Sequence, residues 1–140
     1  MNNLKLNHLA IWICIIGMHA FGFVWYGPLF GETWMKLVEM DPATMQADSM
    51  QVAPWIMNST AIIASVYVLA WVLMSMNVTT GIRGASVALI IIAGVHLLPV
   101  MNANMFAQEP YGLAWITGGY EVAWLTISGF ILGAWIKRKE

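Results

Sequence analysis

The chain is poor in charged residues. Of its 140 residues, 9% are charged and 60% are hydrophobic, whereas soluble domains carry about 25% charged residues. So few charges would not cover a folded surface in water, and the composition therefore predicts a membrane protein. The length is that of a single domain, so we expect one membrane domain over residues 1–140 with no separate soluble catalytic part.

Sequence motifs of enzymes and of nucleic-acid-binding proteins are missing as well. There is no glycine-rich phosphate loop, no serine in a nucleophile elbow and no CxxC pair. The one cysteine, Cys14, lies in an apolar run, where we expect a small packing residue that forms no intrachain disulfide. The basic cluster 137–139 is better explained as a determinant of membrane topology than as a phosphate-binding site. We therefore predict a non-enzymatic protein that has no cofactor and no metal and does not bind nucleic acid.

What the chain does contain is four long apolar runs, each close to the roughly 20 residues that cross a bilayer core. They predict an all-α integral membrane fold, a bundle of four transmembrane helices at about residues 7–27, 53–76, 83–101 and 113–137. Glycine and histidine recur two residues apart in the first and third runs, and a Trp-Ile pair opens the second and fourth. These echoes raise the hypothesis of a parallel two-helix repeat.

Basic residues predict the orientation of the helices. With four spans, five of the six fall on the side of both termini and only Lys36 on the other; the five are Lys5, Arg83, Lys137, Arg138 and Lys139. This asymmetry predicts cytoplasmic termini.

The long connection 28–52 is expected to rest at the membrane interface. Trp34 and Leu37 can share the apolar face of a short helix whose other face is charged. Asp41-Pro42 has the pattern of a helix start, so a second short helix is expected over 41–50. Aromatic and proline residues near the outer helix ends are expected to anchor them, namely Trp25, Tyr26, Pro28, Trp34, Trp55 and Trp115.

Small residues in the last run predict close helix packing. Gly129 and Gly133 form a GxxxG pair, and Gly118 and Gly119 add further small positions. We expect this helix to pack most closely, either within the bundle or between subunits.

Three ionisable residues lie inside the predicted spans, namely His19, His96 and Glu121. Each is about eight residues from the outer end of its helix, or roughly 12 Å at the helical rise, so all three are predicted at one depth. Ionisable groups in lipid are expensive and face the bundle interior or a watery cavity. They are the candidate functional site.

Four interpretations of this polar layer are open. The favoured one is a structural network in which Glu121 bonds a histidine, Tyr26 or Tyr120. The second is a proton relay or polar ligand site, since histidine titrates near neutral pH. Two histidines and a carboxylate are also a known metal ligand set, although no helical ligand spacing supports it. The fourth, haem bridged by His19 and His96, has no other support in the sequence.

Two motifs resemble a known family. The first is the segment Trp25-Tyr26-Gly27-Pro28-Leu29-Phe30-Gly31, followed by Trp34; the second is Gly119-Tyr120, followed by Gly129-x-x-x-Gly133-Ala134-Trp135. Together they resemble the domain-of-unknown-function 1761 family of small four-helix bacterial membrane proteins. Gly27 stands where serine is common in that family, and Glu121 where histidine is frequent. The resemblance implies a four-helix fold in a bacterial inner membrane and no established activity.

These features predict an accessory or scaffold component of a membrane. Its partners would be the lipid bilayer and a second copy of itself or a larger membrane complex. The alternative is a small proton-responsive transporter or channel that uses His19, His96 and Glu121.

Overall fold

The computed structural model describes residues 4–39 and 52–138; helices joined by short turns make up most of them, together with one pair of short strands. The all-α class predicted from the sequence is therefore confirmed, while the short helix expected over 41–50 lies outside the described residues. The helices are α1 (His8–Val24), α2 (Gly31–Leu37), α3 (Val52–Ser75), α4 (Gly81–Ile92), α5 (Leu98–Phe106) and α6 (Tyr111–Ala134), with π-helical segments π1 (Trp25–Leu29) and π2 (Ala93–Leu97).

Both π-helical segments accompany a proline. Pro28 lies within π1, and Pro99 follows π2 closely. Proline lacks an N–H group and clashes with the carbonyl of the preceding turn, whereas the wider π turn leaves room for its ring. Helices α4 and α5 therefore continue each other through π2 up to Phe106, beyond the end predicted at residue 101. At Gly27 (φ −100°, ψ −105°) the helix is kinked, and the chain turns into α2.

In the part of the chain that the structure describes, three helical stretches are long and apolar enough to cross a membrane: His8–Leu29, Val52–Ser75 and Gly81–Phe106. They correspond to the first three runs predicted from the sequence. Helix α6 has 24 residues but is not among the three. Its middle holds Gly118, Gly119, Tyr120 and Glu121 in succession, which lowers its apolar character.

Helix α6 is nevertheless the central helix of the bundle. It contacts α1, α2, α3, α4 and α5, and its buried residues run from Ala114 to Gly133. A helix that is covered by protein does not need a continuous apolar surface, because its polar groups meet neighbouring helices rather than lipid. By contrast, α3 buries side chains only from Ile62 to Leu73, so its N-terminal part diverges from the bundle.

Glycines bring α4 and α6 into backbone contact. A Cβ atom added to Gly129 would lie 2.5 Å from the carbonyl oxygen of Gly84, and one added to Gly133 would lie 2.5 Å from that of Thr80. No real Cβ atom approaches a backbone oxygen so closely. The two glycines of the GxxxG pair thus face α4 of the same chain.

The two ends of the described chain meet in a short antiparallel pair. Strand β1 (Leu4–Lys5) pairs with β2 (Lys137–Arg138), with Leu4 opposite Arg138. Asn7 reinforces this junction, because its side-chain oxygen accepts from the N–H of Ala10 at the start of α1 and its amide donates to the carbonyl of Trp135 at 3.0 Å. The parallel two-helix repeat stays a prediction.

Candidate functional site

The structure brings together two of the three ionisable residues. His96 Nε2, in π2, lies 3.2 Å from Glu121 Oε2, in α6. The two helices can approach here because Gly118 has no side chain: a Cβ atom at this position would lie 2.6 Å from Leu97 Cδ1. About a third of each side chain stays uncovered, 35% for His96 and 34% for Glu121. The pair is therefore partly open at the surface of the single chain.

His19 does not join this pair. Its Nδ1 lies 2.9 Å from the carbonyl oxygen of Ile15, and its Nε2 lies 3.2 Å from Ser59 Oγ in α3. A carbonyl can only accept, so Nδ1 carries the proton, and in the neutral ring Nε2 accepts from the Ser59 hydroxyl. The sequence left open whether the three groups meet, and the structure places His19 against α3 instead of with the pair. The metal interpretation required all three groups together and the haem interpretation required both histidines, whereas His19 bonds Ser59 and His96 pairs with Glu121.

The phase of helix α1 explains where His19 lies. The neighbouring residue, Met18, is buried and turns its carbonyl towards α6, where the Tyr120 hydroxyl donates to it. Successive residues of an α-helix are rotated by about 100°, so His19 points to α3 instead. Equal depth along the membrane normal was therefore not enough to predict contact.

Tyr26 and Tyr120, which the sequence offered as further partners of Glu121, pack against each other. The rings of Tyr26 and Tyr120 have centroids 5.5 Å apart. Glu121 pairs with His96, whereas the Tyr120 hydroxyl donates to the Met18 carbonyl.

Aromatic side chains join α1 to α6 through hydrogen bonds that the sequence analysis missed. The Tyr120 hydroxyl donates to the Met18 carbonyl and the Trp124 indole to the Cys14 carbonyl, each at 2.9 Å. In the other direction, the Trp25 indole donates to the Ile116 carbonyl at 2.9 Å. The sequence did contain one sign of these bonds: Tyr120 and Trp124 are four residues apart, so their side chains lie on the same face of α6.

The predicted interface anchors divide into two groups. Trp25 packs inside the bundle, 4.6 Å from the Phe30 ring by centroids. It is not turned outwards as a surface anchor would be, because it lies seven residues after Met18 and eleven after Cys14, on the buried face of α1. Tyr26 contacts Trp34 edge-on at 5.7 Å, and Pro28 lies in π1. Trp55 and Trp115 are exposed by 56% and 50%, as expected of residues that contact lipid or headgroups.

A wedge-shaped cavity of about 540 Å³ opens where α3 diverges from α1. We call it the wedge. Its walls come from α1, π1, α2, α3 and α6, and most of them are aromatic; the lining residues are His19, Gly22, Phe23, Tyr26, Gly27, Trp34, Trp55, Asn58 and Tyr120. His19 and Tyr26 thus lie on the wedge, whereas His96 and Glu121 do not line it.

Comparison with known proteins identifies the family. The model of the family described as a protein of unknown function (DUF1761) matches residues 9–133, and the chain therefore belongs to that family. No curated protein and no solved structure matches the chain.

Proposed function

We propose that the protein crosses the membrane four times, with α6 as the fourth span. The antiparallel pairing of Leu4–Lys5 with Lys137–Arg138 supports this topology. Chain segments that pair lie on the same side of a membrane, so the number of crossings between them is even. Because three apolar helices give an odd number of crossings, a fourth membrane-spanning helix is needed, and α6 with its 24 residues is long enough to be that helix.

The basic residues at this end of the bundle support the proposed orientation. Lys5, Lys137 and Arg138 are exposed on the paired strands, and Arg83 is exposed in the first turn of α4. This first turn lies beside Gly133 at the end of α6. The clustering of basic residues at one end supports cytoplasmic termini, and the family resemblance supports the inner membrane of a bacterium.

Within this topology, the protein acts as a non-enzymatic accessory or scaffold component that self-associates. The observation that carries the proposal is the His96–Glu121 pair, which lies at membrane depth with about a third of each side chain uncovered. Polar side chains at that depth belong against protein or water rather than lipid. A second copy of the chain that covers the pair would remove it from lipid.

The test is a native mass spectrum of the protein gently extracted from its own membrane, with the wild type and Glu121→Gln measured side by side. The wild type is expected as a homo-oligomer. The glutamine side chain keeps an acceptor for His96 but lacks the charge, so we expect about tenfold weaker association, equivalent to about 1.4 kcal/mol.

Glu109→Gln is the matched control, because Glu109 is exposed in the connection between α5 and α6. It should associate like the wild type. A wild-type monomer, both in the spectrum and after cross-linking in intact membranes, would contradict self-association. A complex with another protein would keep the accessory role but assign it to that partner.

A second function, a proton-responsive transporter or channel, has support from one observation. His19 and Tyr26 line the wedge together with Tyr120, the residue that precedes Glu121. A polar route between the wedge and the pair would then run past Tyr26. In sealed vesicles, His96→Ala and Glu121→Gln should abolish a pH-dependent flux while leaving assembly intact. Loss of assembly, in a protein that shows no flux, would favour the scaffold instead.

A further inference from the structure

We infer that the wedge binds an uncharged, ring-bearing amphiphile of the membrane, with carbonyl oxygens on its ring, of the chemical class of the isoprenoid quinones. This inference does not rest on the proposed scaffold role. It starts from the volume of about 540 Å³, which lies within the range of about 300–1,000 Å³ for small-molecule sites.

The lining explains why the occupant would be uncharged. Within residues 4–39 and 52–138, no carboxylate, lysine or arginine lines the wedge. Of the lining side chains described above, only His19 and the phenols can ionise, and both ring nitrogens of His19 are already engaged by Ile15 and Ser59. A charged headgroup would have no counter-charge on these walls, and its burial would be strongly unfavourable.

The walls favour a flat ring. Phe23, Tyr26, Trp34, Trp55 and Tyr120 all line the wedge, and aromatic faces stack well on other π systems. A saturated acyl chain would gain apolar burial here but no stacking.

The polar atoms of the wedge favour carbonyl oxygens on that ring. Among the described residues, the Tyr26 hydroxyl and the indole N–H groups of Trp34 and Trp55 form no hydrogen bond. The Tyr120 hydroxyl, by contrast, already donates to Met18. Indole N–H is a donor only, so the free polar groups include two that need an acceptor. Ring carbonyls supply acceptors without charge.

The test measures binding of a benzoquinone with a ten-carbon tail to the full chain in lipid nanodiscs, with empty nanodiscs subtracted for partition into lipid. We expect saturable binding of one probe per chain. Trp55→Phe and Tyr26→Phe keep an aromatic ring but remove a donor, so each should weaken binding about three- to tenfold. Asn58→Phe, at an exposed position on α3, should fill the wedge and abolish binding.

Trp71→Phe is the matched control for Trp55→Phe. Both tryptophans are on α3 and are similarly exposed, 58% and 56%, but Trp71 does not line the wedge. Its affinity should equal that of the wild type. The inference would be overturned by the absence of saturable binding, by an equal loss in Trp71→Phe, or by equally tight binding of decylbenzene, which has the ring and tail but no carbonyl. The last result would assign the wedge to lipid chains.

Discussion

At the residue scale, the aromatic hydrogen bonds are a main link between α1 and α6. Tyr120 is 8% exposed and Cys14 is fully buried, so these bonds form away from solvent. An indole or phenol without a partner in such a place would lose the hydrogen bonds it makes elsewhere. The carbonyl oxygens of Cys14 and Met18 each have a second lone pair that can accept these bonds, so α1 keeps its internal backbone hydrogen bonds.

Tyr120→Phe should lower the free energy of unfolding by about 0.5–1.5 kcal/mol, because it removes the bond to the Met18 carbonyl and keeps the ring. Unfolding in mixed micelles with increasing denaturing detergent would measure the loss. Tyr111→Phe is the control, since Tyr111 is 56% exposed; equal losses in the two variants would show that the bond to Met18 adds no stability.

Asn7→Ala should lower the free energy of unfolding by about 1–2 kcal/mol, because it removes both the helix cap of α1 and the bond to Trp135. The same micelle titration measures it. Asn102→Ala, at an exposed position in α5, is the control and should unfold like the wild type. Asn7→Ser, which keeps a capping oxygen, should recover part of the loss.

The sequence predicted the candidate site only in part. Counting turns placed His96 and Glu121 at one depth, and the structure pairs them. The same count grouped His19 with them, but depth fixes only one of the two coordinates of a helical residue. The rotation of α1, set by buried Cys14 and Met18, decided that His19 would face Ser59.

At the element scale, backbone contact between α4 and α6 depends on glycine. Gly84→Ala should lower the free energy of unfolding by about 1–3 kcal/mol, because the new methyl group would collide with the Gly129 carbonyl. Gly94→Ala, on the same continuous helix, meets no atom within 4 Å and should be neutral or slightly stabilising, since alanine favours helix. Thermal unfolding of the two purified variants in one detergent tests this; equal effects would contradict it.

Hydrophobic patterning predicted the helices but not their irregular turns. The four runs give helix positions to within a few residues, because lipid demands apolar length. A π turn has no hydrophobic period of its own, so π1 and π2 were not predicted, although Pro28 and Pro99 mark where they occur.

At the scale of the whole molecule, both ends of the chain should lie on one side of the membrane, in the cytoplasm. A reporter that fluoresces only in the cytoplasm should be bright when fused to either end. Fused after Glu109, between α5 and α6, it should be dark. A bright signal at one end alone would contradict the pairing of β1 with β2 and the even number of crossings.

The sequence predicts the class and the helices of this molecule but not the wedge. The apolar run predicts that Val52–Ser75 can cross a membrane. Nothing in its composition shows that its packing against the other helices starts only at Ile62. A cavity between helices depends on their angles, which are set by contacts in three dimensions rather than by the content of one helix.

The bond from Asn7 to Trp135 also has a consequence for the order of assembly. It joins residues 128 positions apart, and synthesis proceeds from the N-terminus. Helix α1 can therefore enter the membrane early, but its first turn and β1 wait for the last residues of α6 and for β2. A chain that stops at Ala134 would contain α6 in full, but its N-terminal segment would have no β2 to pair with. Protection of residues 4–7 from protease thus reports that the whole chain has been made and inserted.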